Sequence, residues 1–193
     1  YGSYGAIEDV SLDEARRQFE VNVFGLGRLT QLVLPHMRAQ RSGTIINISS
    51  MGGRLTTPLG GWYHATKYAV EALSDALRME TAPFGIDVVV IEPGGIRTEW
   101  SGIAADHLEE TAEGSAYASQ IKAVANSMRS ESTNKRQSPP SVIADTVEKI
   151  VTARKPRTRY VVGFAAKPLV TLRRILPDRA FDRVISAALG VRR

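Results

Sequence analysis

The chain has 193 residues, 43% of them hydrophobic and 7% aromatic, with a formal net charge of +5 and no cysteine. That length suits one domain with a substantial buried core, and the composition is that of an ordinary globular protein. The missing cysteines exclude disulfides and thiolate metal sites, no apolar run approaches the ~20 residues of a membrane-spanning helix, and the expectation is a reducing, cytoplasmic setting with no metal site.

The opening "YGSYGAIEDV" has neither the basic start nor the apolar stretch of a signal peptide, and it lacks a methionine, which points to a trimmed or partial chain. Ser11-Leu12-Asp13-Glu14 forms a capping box, the serine accepting from the third N–H and the glutamate reaching back. It predicts a long helix with an apolar stripe through Phe19, Val23, Leu26, Val33 and Met37, ended or kinked near Pro35. After Gly43, "TIINIS" reads as a buried strand over 44–49. A Gly- and Thr-rich loop over 51–61 leads to a second helix over about 62–82, and "DVVVIEP" is another buried strand, stopped by Pro93 and Gly94-Gly95.

Two continuous apolar strands separated by a helix make a βαβ unit of a parallel sheet, covered by helices on both faces. The fold class is therefore α/β, a doubly wound parallel sheet in one domain. Residues 101–138 turn small, polar and loosely helical; "SPPSVIADTVEKIVTAR" restarts a helix; "RYVVG" over 159–163 is a last short strand. The end, 165–193, is a basic amphipathic segment interrupted by Pro177. Residues 154–193 hold eleven Lys/Arg and two Asp, a net of +9, which leaves −4 on the rest. Such a tail suits a solvated helix face or subunit contact, and it can also rest on an anionic membrane surface. Nucleic-acid binding is not expected, since the charge comes without aromatic interleaving or a base-reading module.

Ligands of a doubly wound sheet bind at the carboxyl ends of the strands. That rule selects Ser50 after the first strand, thirteen residues before Tyr63, and the Gly-rich turn with Thr98 after the second. Ser49 and Ser50 fall on opposite faces by alternation, and the spacing favours Ser50. Asn22 stands polar in the apolar stretch "FEVNVFGLG". Tyr63 and Lys67 lie one helical turn apart on one face. A phenol of pKa ~10 is a poor base near neutrality. An ammonium near 4 Å is worth about 4 kcal/mol at an effective dielectric of 20, or about three pKa units, and is expected to make the phenolate accessible.

"NVFG", "INISS", "YHATK" and "IEPGGIRT", in this order, resemble the short-chain dehydrogenase/reductase family, closely over residues 1 to about 100 and loosely through "PRTRYVVG". The resemblance implies a Rossmann-like fold of which this chain holds the C-terminal portion, about two-thirds. It implies a catalytic tetrad of Asn22, Ser50, Tyr63 and Lys67 transferring hydride between a nicotinamide, NAD or NADP, and a carbonyl or secondary alcohol. Lys67 would also hold the nicotinamide ribose beside Tyr63, Ser50 would donate to the substrate oxygen, and Asn22 would hold a water linking Lys67 to a proton relay. Pro93, Gly94 and Ile96 would bring backbone close to the nicotinamide, with Thr98 on its carboxamide. Trp100 would sit on the substrate side, His64 would be a substrate-side or structural residue, and 101–138 would form a lid. There Trp100, Ile103, Leu108, Tyr117, Ile121 and Met128 either wall an apolar pocket or serve ordinary helix packing.

The lid and tail resemble the hydroxysteroid and retinol dehydrogenase subgroup, which implies a lipophilic alcohol or ketone; the family also implies a homodimer or homotetramer. The family's TGxxxGxG turn occurs nowhere here, nor does the strand end that separates NAD from NADP. The expectation is therefore a piece of a full-length enzyme, inactive in isolation. The rival reading, a non-catalytic protein keeping the fold for binding or assembly, fits poorly with an intact tetrad, and an inactive truncated product is the other alternative.

Overall fold

The structure, a computed structural model, describes residues 1–191. Arg192 and Arg193, the last basic residues of the predicted tail, lie outside the described residues.

The uncharged β-branched runs pair as their composition demands. β1 (Gly43–Ile48) and β2 (Ile86–Pro93) run parallel, in register from Gly43↔Ile86 to Ile48↔Ile91. β3 (Arg159–Val162) joins the far side of β2, giving the order β1-β2-β3. Parallel neighbours require a crossover, and α3 (Gly61–Thr81) supplies it between β1 and β2.

Ahead of β1, α1 (Leu12–Phe19) begins at Ser11, whose Oγ accepts from the Glu14 N–H at 3.2 Å. The reciprocal half of the capping box does not form, because Glu14 instead accepts from the Tyr1 hydroxyl at 2.6 Å. A π-helical segment, Glu20–Gly25, links α1 to α2 (Leu26–Gln40). The predicted break at Pro35 is not an end: α2 runs on to Gln40 with Pro35 inside it. Pro35 is exposed, so water can satisfy the carbonyl that its missing N–H leaves free.

Strand alternation sends Ile45, Ile86 and Val88 to one face, where they pack with Leu34 and Met37 of α2 and Leu77 of α3. Val89 and Ile91 face the other way, against Ile150 and Val147 of α7 (Ser141–Thr152). The sheet is thus covered on both faces.

Residues after β2 form α4 (Trp100–Glu110), α5 (Ala118–Arg129) and α6 (Glu131–Arg136). Ala104, Leu108, Ile121 and Val124 share one core cluster with Tyr4, Leu59 and Tyr63, so this layer packs over the carboxyl ends of the strands. Leu108 and Ile121 serve helix packing, while Ile103 is exposed. The tail folds as α8 (Ala166–Ile175) and α9 (Asp178–Ala188), whose Val170, Phe181 and Ile185 close on Leu55 from the loop after β1. Among the described residues no helix is long and apolar enough to cross a membrane, and no group of three His, Cys, Asp or Glu is placed to hold a metal ion.

Candidate active site

The site forms where β1 and β2 end and α3 begins. Ser50 is extended backbone leading into a tight turn, Met51–Gly53, and its Oγ accepts from the Gly52 N–H at 3.0 Å. That bond uses a lone pair and leaves the hydroxyl proton to donate elsewhere. Ser50 works to lower the pKa of the Tyr63 phenol, against the rise that burial imposes. Ser49 points the other way: its Oγ is buried beneath α3, 2.7 Å from where a Cβ on Gly53 would stand.

Tyr63 is 8% exposed, and Lys67 Nζ lies 5.9 Å from its ring centroid while donating to the Ile48 carbonyl at 3.1 Å. The pair shares a face of α3 as its spacing dictates, yet the phenol does not titrate as predicted. Burial pushes its pKa up, with Ser50 opposing. The same burial pulls Lys67 down to about 8, with Glu71 opposing. Desolvation is the largest influence on the phenol and favours its protonated form.

Asn22 reaches α3 from the π-helical segment. Its Nδ2 donates to the Tyr1 carbonyl at 2.9 Å and to Thr66 Oγ1 at 3.1 Å, and Thr66 donates to the Tyr63 carbonyl at 2.7 Å. The side chain therefore braces the turn that carries Tyr63, rather than reaching Lys67.

Of the two places open to His64, its hydrogen bonds fit the structural one. Nε2 accepts from the Thr57 N–H at 3.1 Å, which leaves the hydrogen on Nδ1 to donate to the Gly52 carbonyl at 2.9 Å. Both nitrogens strap the loop to α3. Trp100, in contrast, stands at the phenol: its ring centroid is 5.4 Å from that of Tyr63 and 5.9 Å from that of Tyr4. Tyr4 itself, 5.6 Å from Tyr63, completes this aromatic wall and carried no periodicity by which the sequence could reveal it.

The turn after β2 is built for closeness to β3. A Cβ on Gly94 would fall 2.3 Å from the Phe164 carbonyl oxygen. The N–H groups of Gly94 and Gly95 donate to Val162 and Phe164 at 2.8 and 2.9 Å, and Ile96 bridges to Ser138. At Gly94 the glycine requirement comes from the segment of the same chain that follows β3. Thr98 is exposed and accepts from the Trp100 N–H at 3.3 Å. It lines an open cavity of about 500 Å3 with Arg97, Ile103, Asp106, Asn134 and Gln137.

A profile of the short chain dehydrogenase family matches residues 2–109. The chain belongs to that family. It is 36% identical over 182 residues to the probable short-chain type dehydrogenase/reductase VdlC of Helicobacter pylori, covering 94% of this chain and 66% of that protein. It is 37% identical to an NADPH-dependent 3-dehydrocapnine reductase of Ornithobacterium rhinotracheale, covering 94% of this chain and 64% of that protein. The crystal structure of a short-chain dehydrogenase from Streptomyces avermitilis superposes with a TM-score of 0.72 at 29% identity, covering 100% of this chain and 68% of that one. The chain spans 58 to 66% of the length of VdlC and the next curated dehydrogenases and oxidoreductases it matches.

Proposed function

We propose that the full-length protein carrying this chain is an NAD(P)-dependent oxidoreductase that interconverts a carbonyl and a secondary alcohol. Tyr63 is its acid and base, and the substrate is a lipophilic one of the hydroxysteroid or retinol kind. The observation that carries this reading is the buried phenol, with Ser50 acting on it and Lys67 one helical turn away.

The residues fit the nicotinamide end of a dinucleotide. Lys67 offers a cation at the strand ends for the ribose, and Thr98, with only one lone pair committed, keeps a hydroxyl proton for the carboxamide. The dinucleotide, when bound, supplies or takes the hydride. Burial favours the protonated phenol, which suits the reductive direction: the phenol gives that proton to the carbonyl oxygen. Ser50 donates to the same oxygen and stabilises charge as it builds there. The Lys67 charge stabilises the phenolate left behind. In the oxidative direction the same phenolate takes the alcohol proton. Trp100 and Tyr4 supply an apolar wall beside the reacting group, residues 101–138 act as the lid, and Asn22 keeps Tyr63 in register through Thr66.

The test is Tyr63→Phe in the full-length protein, with lipophilic ketones and either dinucleotide. Loss of a positioned acid costs about 10²–10⁴-fold in turnover; cofactor affinity should hold, because the ring and Lys67 remain. A variant that keeps wild-type turnover sinks the assignment.

A further inference from the structure

Tyr63, Lys67 and Glu71 follow one another at four-residue steps on α3, so one helix face carries a phenol, an ammonium and a carboxylate in line. The third member is no surface charge. Glu71 is 5% exposed, and its Oε2 is gripped by Arg159 of β3 through Nε and Nη2, each at 3.0 Å. Arg159 also reaches Asp75 at 2.7 Å and the fully buried Glu92 of β2 at 3.1 Å. Gly53 lets the loop after β1 press onto this turn: a Cβ there would fall 2.9 Å from Glu71 Cγ and 3.0 Å from the Lys67 carbonyl oxygen.

Burying ions costs more than their attraction commonly returns, so an apolar cluster would hold β3 to α3 as well or better. The carboxylate's place, one turn beyond Lys67, gives it an effect that an apolar residue lacks. We propose that Glu71 is a positioning residue for the Tyr63–Lys67 pair: its carboxylate, fixed by Arg159, keeps Lys67 charged while the phenol gives up its proton. The proposal rests on the function proposed above.

Among the described residues, the charged and titratable groups around the pair are few. Lys67 Nζ lies by the Tyr63 ring and the Ile48 carbonyl of β1, with Glu71 one turn further along its own helix. Glu71 faces Arg159, Glu92, Asp75 on its own helix, and Arg54 of the loop at 3.8 Å. Glu92 is pushed up by burial and by the Glu71 charge, so it is readily neutralised on acidification. Burial alone works against the charge on Lys67, and Glu71 is the group that opposes it. Without Glu71, Lys67 therefore loses its proton at lower pH.

The test uses the full-length protein with ¹³C-lysine, following the Lys67 ε-carbon, assigned by its loss in Lys67→Arg. In Glu71→Gln the Lys67 midpoint should fall by about one pH unit. The high-pH limb of ketone reduction should move down with it. Glu71→Asp should shift both in the same direction by less, and it decides the matter by the same criterion should Glu71→Gln fail to fold. Asp75→Asn removes a different carboxylate from Arg159 and should lower the thermal midpoint while leaving Lys67 and the limb in place. A Lys67 midpoint unmoved by the Glu71 variants overturns the proposal whatever the enzyme does, as does an equal shift in Asp75→Asn. A wild type with no turnover on any ketone instead overturns the functional reading, and the lysine titration still decides the role of Glu71.

Discussion

His64 neighbours the phenol in sequence, yet both its ring nitrogens are committed to the loop after β1. The imidazole is 3% exposed and burial lowers its pKa, with the Gly52 carbonyl opposing. The sign of the consequence follows from linkage. Below its unfolded pKa of ~6.5 the unfolded chain binds a proton that the folded chain refuses, so stability falls as pH drops through that value toward the lower folded pKa. We expect the thermal midpoint of the wild type to fall more between about pH 7.5 and 5 than that of His64→Gln, which has no proton to take up there. Equal falls would mean that His64 carries none of the acid sensitivity. At this scale the placement of Ser50 at a strand end, and of Tyr63 and Lys67 on one helix face, was readable because helix and strand periods are local. The electrostatics were not. Whether a phenol is governed by its lysine or by its burial depends on Tyr4 and Trp100, which come from distant parts of the chain.

Among elements, the three strands and α3 were legible because apolar β-branched runs and a fourfold spacing leave little choice of conformation. The π-helical segment at Asn22 left no trace, since one extra residue in a turn barely disturbs a 3.6-residue pattern. Arg159 was read as one charge of a basic tail, whereas it is the partner of Glu71, 88 residues earlier. No local signal spans such a distance. The turn that joins β2 to the β3 side shows the same dependence on a remote neighbour. Gly94 lies against the backbone carbonyl of Phe164, a group that cannot rotate aside as a side chain could. Gly94→Ala should therefore push the two strand ends apart and cost about 1–3 kcal/mol, as overpacking does elsewhere, measured by urea unfolding. Unchanged stability would show that the turn relaxes freely.

For the whole molecule, the face of α2 turned away from the sheet is the feature that one copy of this chain does not explain. No residue of α2 is buried, and Leu29, Leu32 and Val33 are 67%, 51% and 39% exposed at the i, i+3, i+4 spacing of one stripe. Phe24, at 59%, extends it into the π-helical segment. Contiguous apolar surface of this kind marks an interaction face in a folded protein. A stripe on one helix can meet its own copy about a two-fold axis, the kind of contact that the homo-oligomer expected from the resemblance requires. Leu29→Asp with Leu32→Asp in the full-length protein would set carboxylates against one another across such a contact. The variant should elute as a smaller species than the wild type by light scattering, with its circular dichroism spectrum retained. A wild type that is already monomeric would place the cover within one chain, and a variant of unchanged mass would place the subunit contact elsewhere. Either result would remove α2 as the subunit interface.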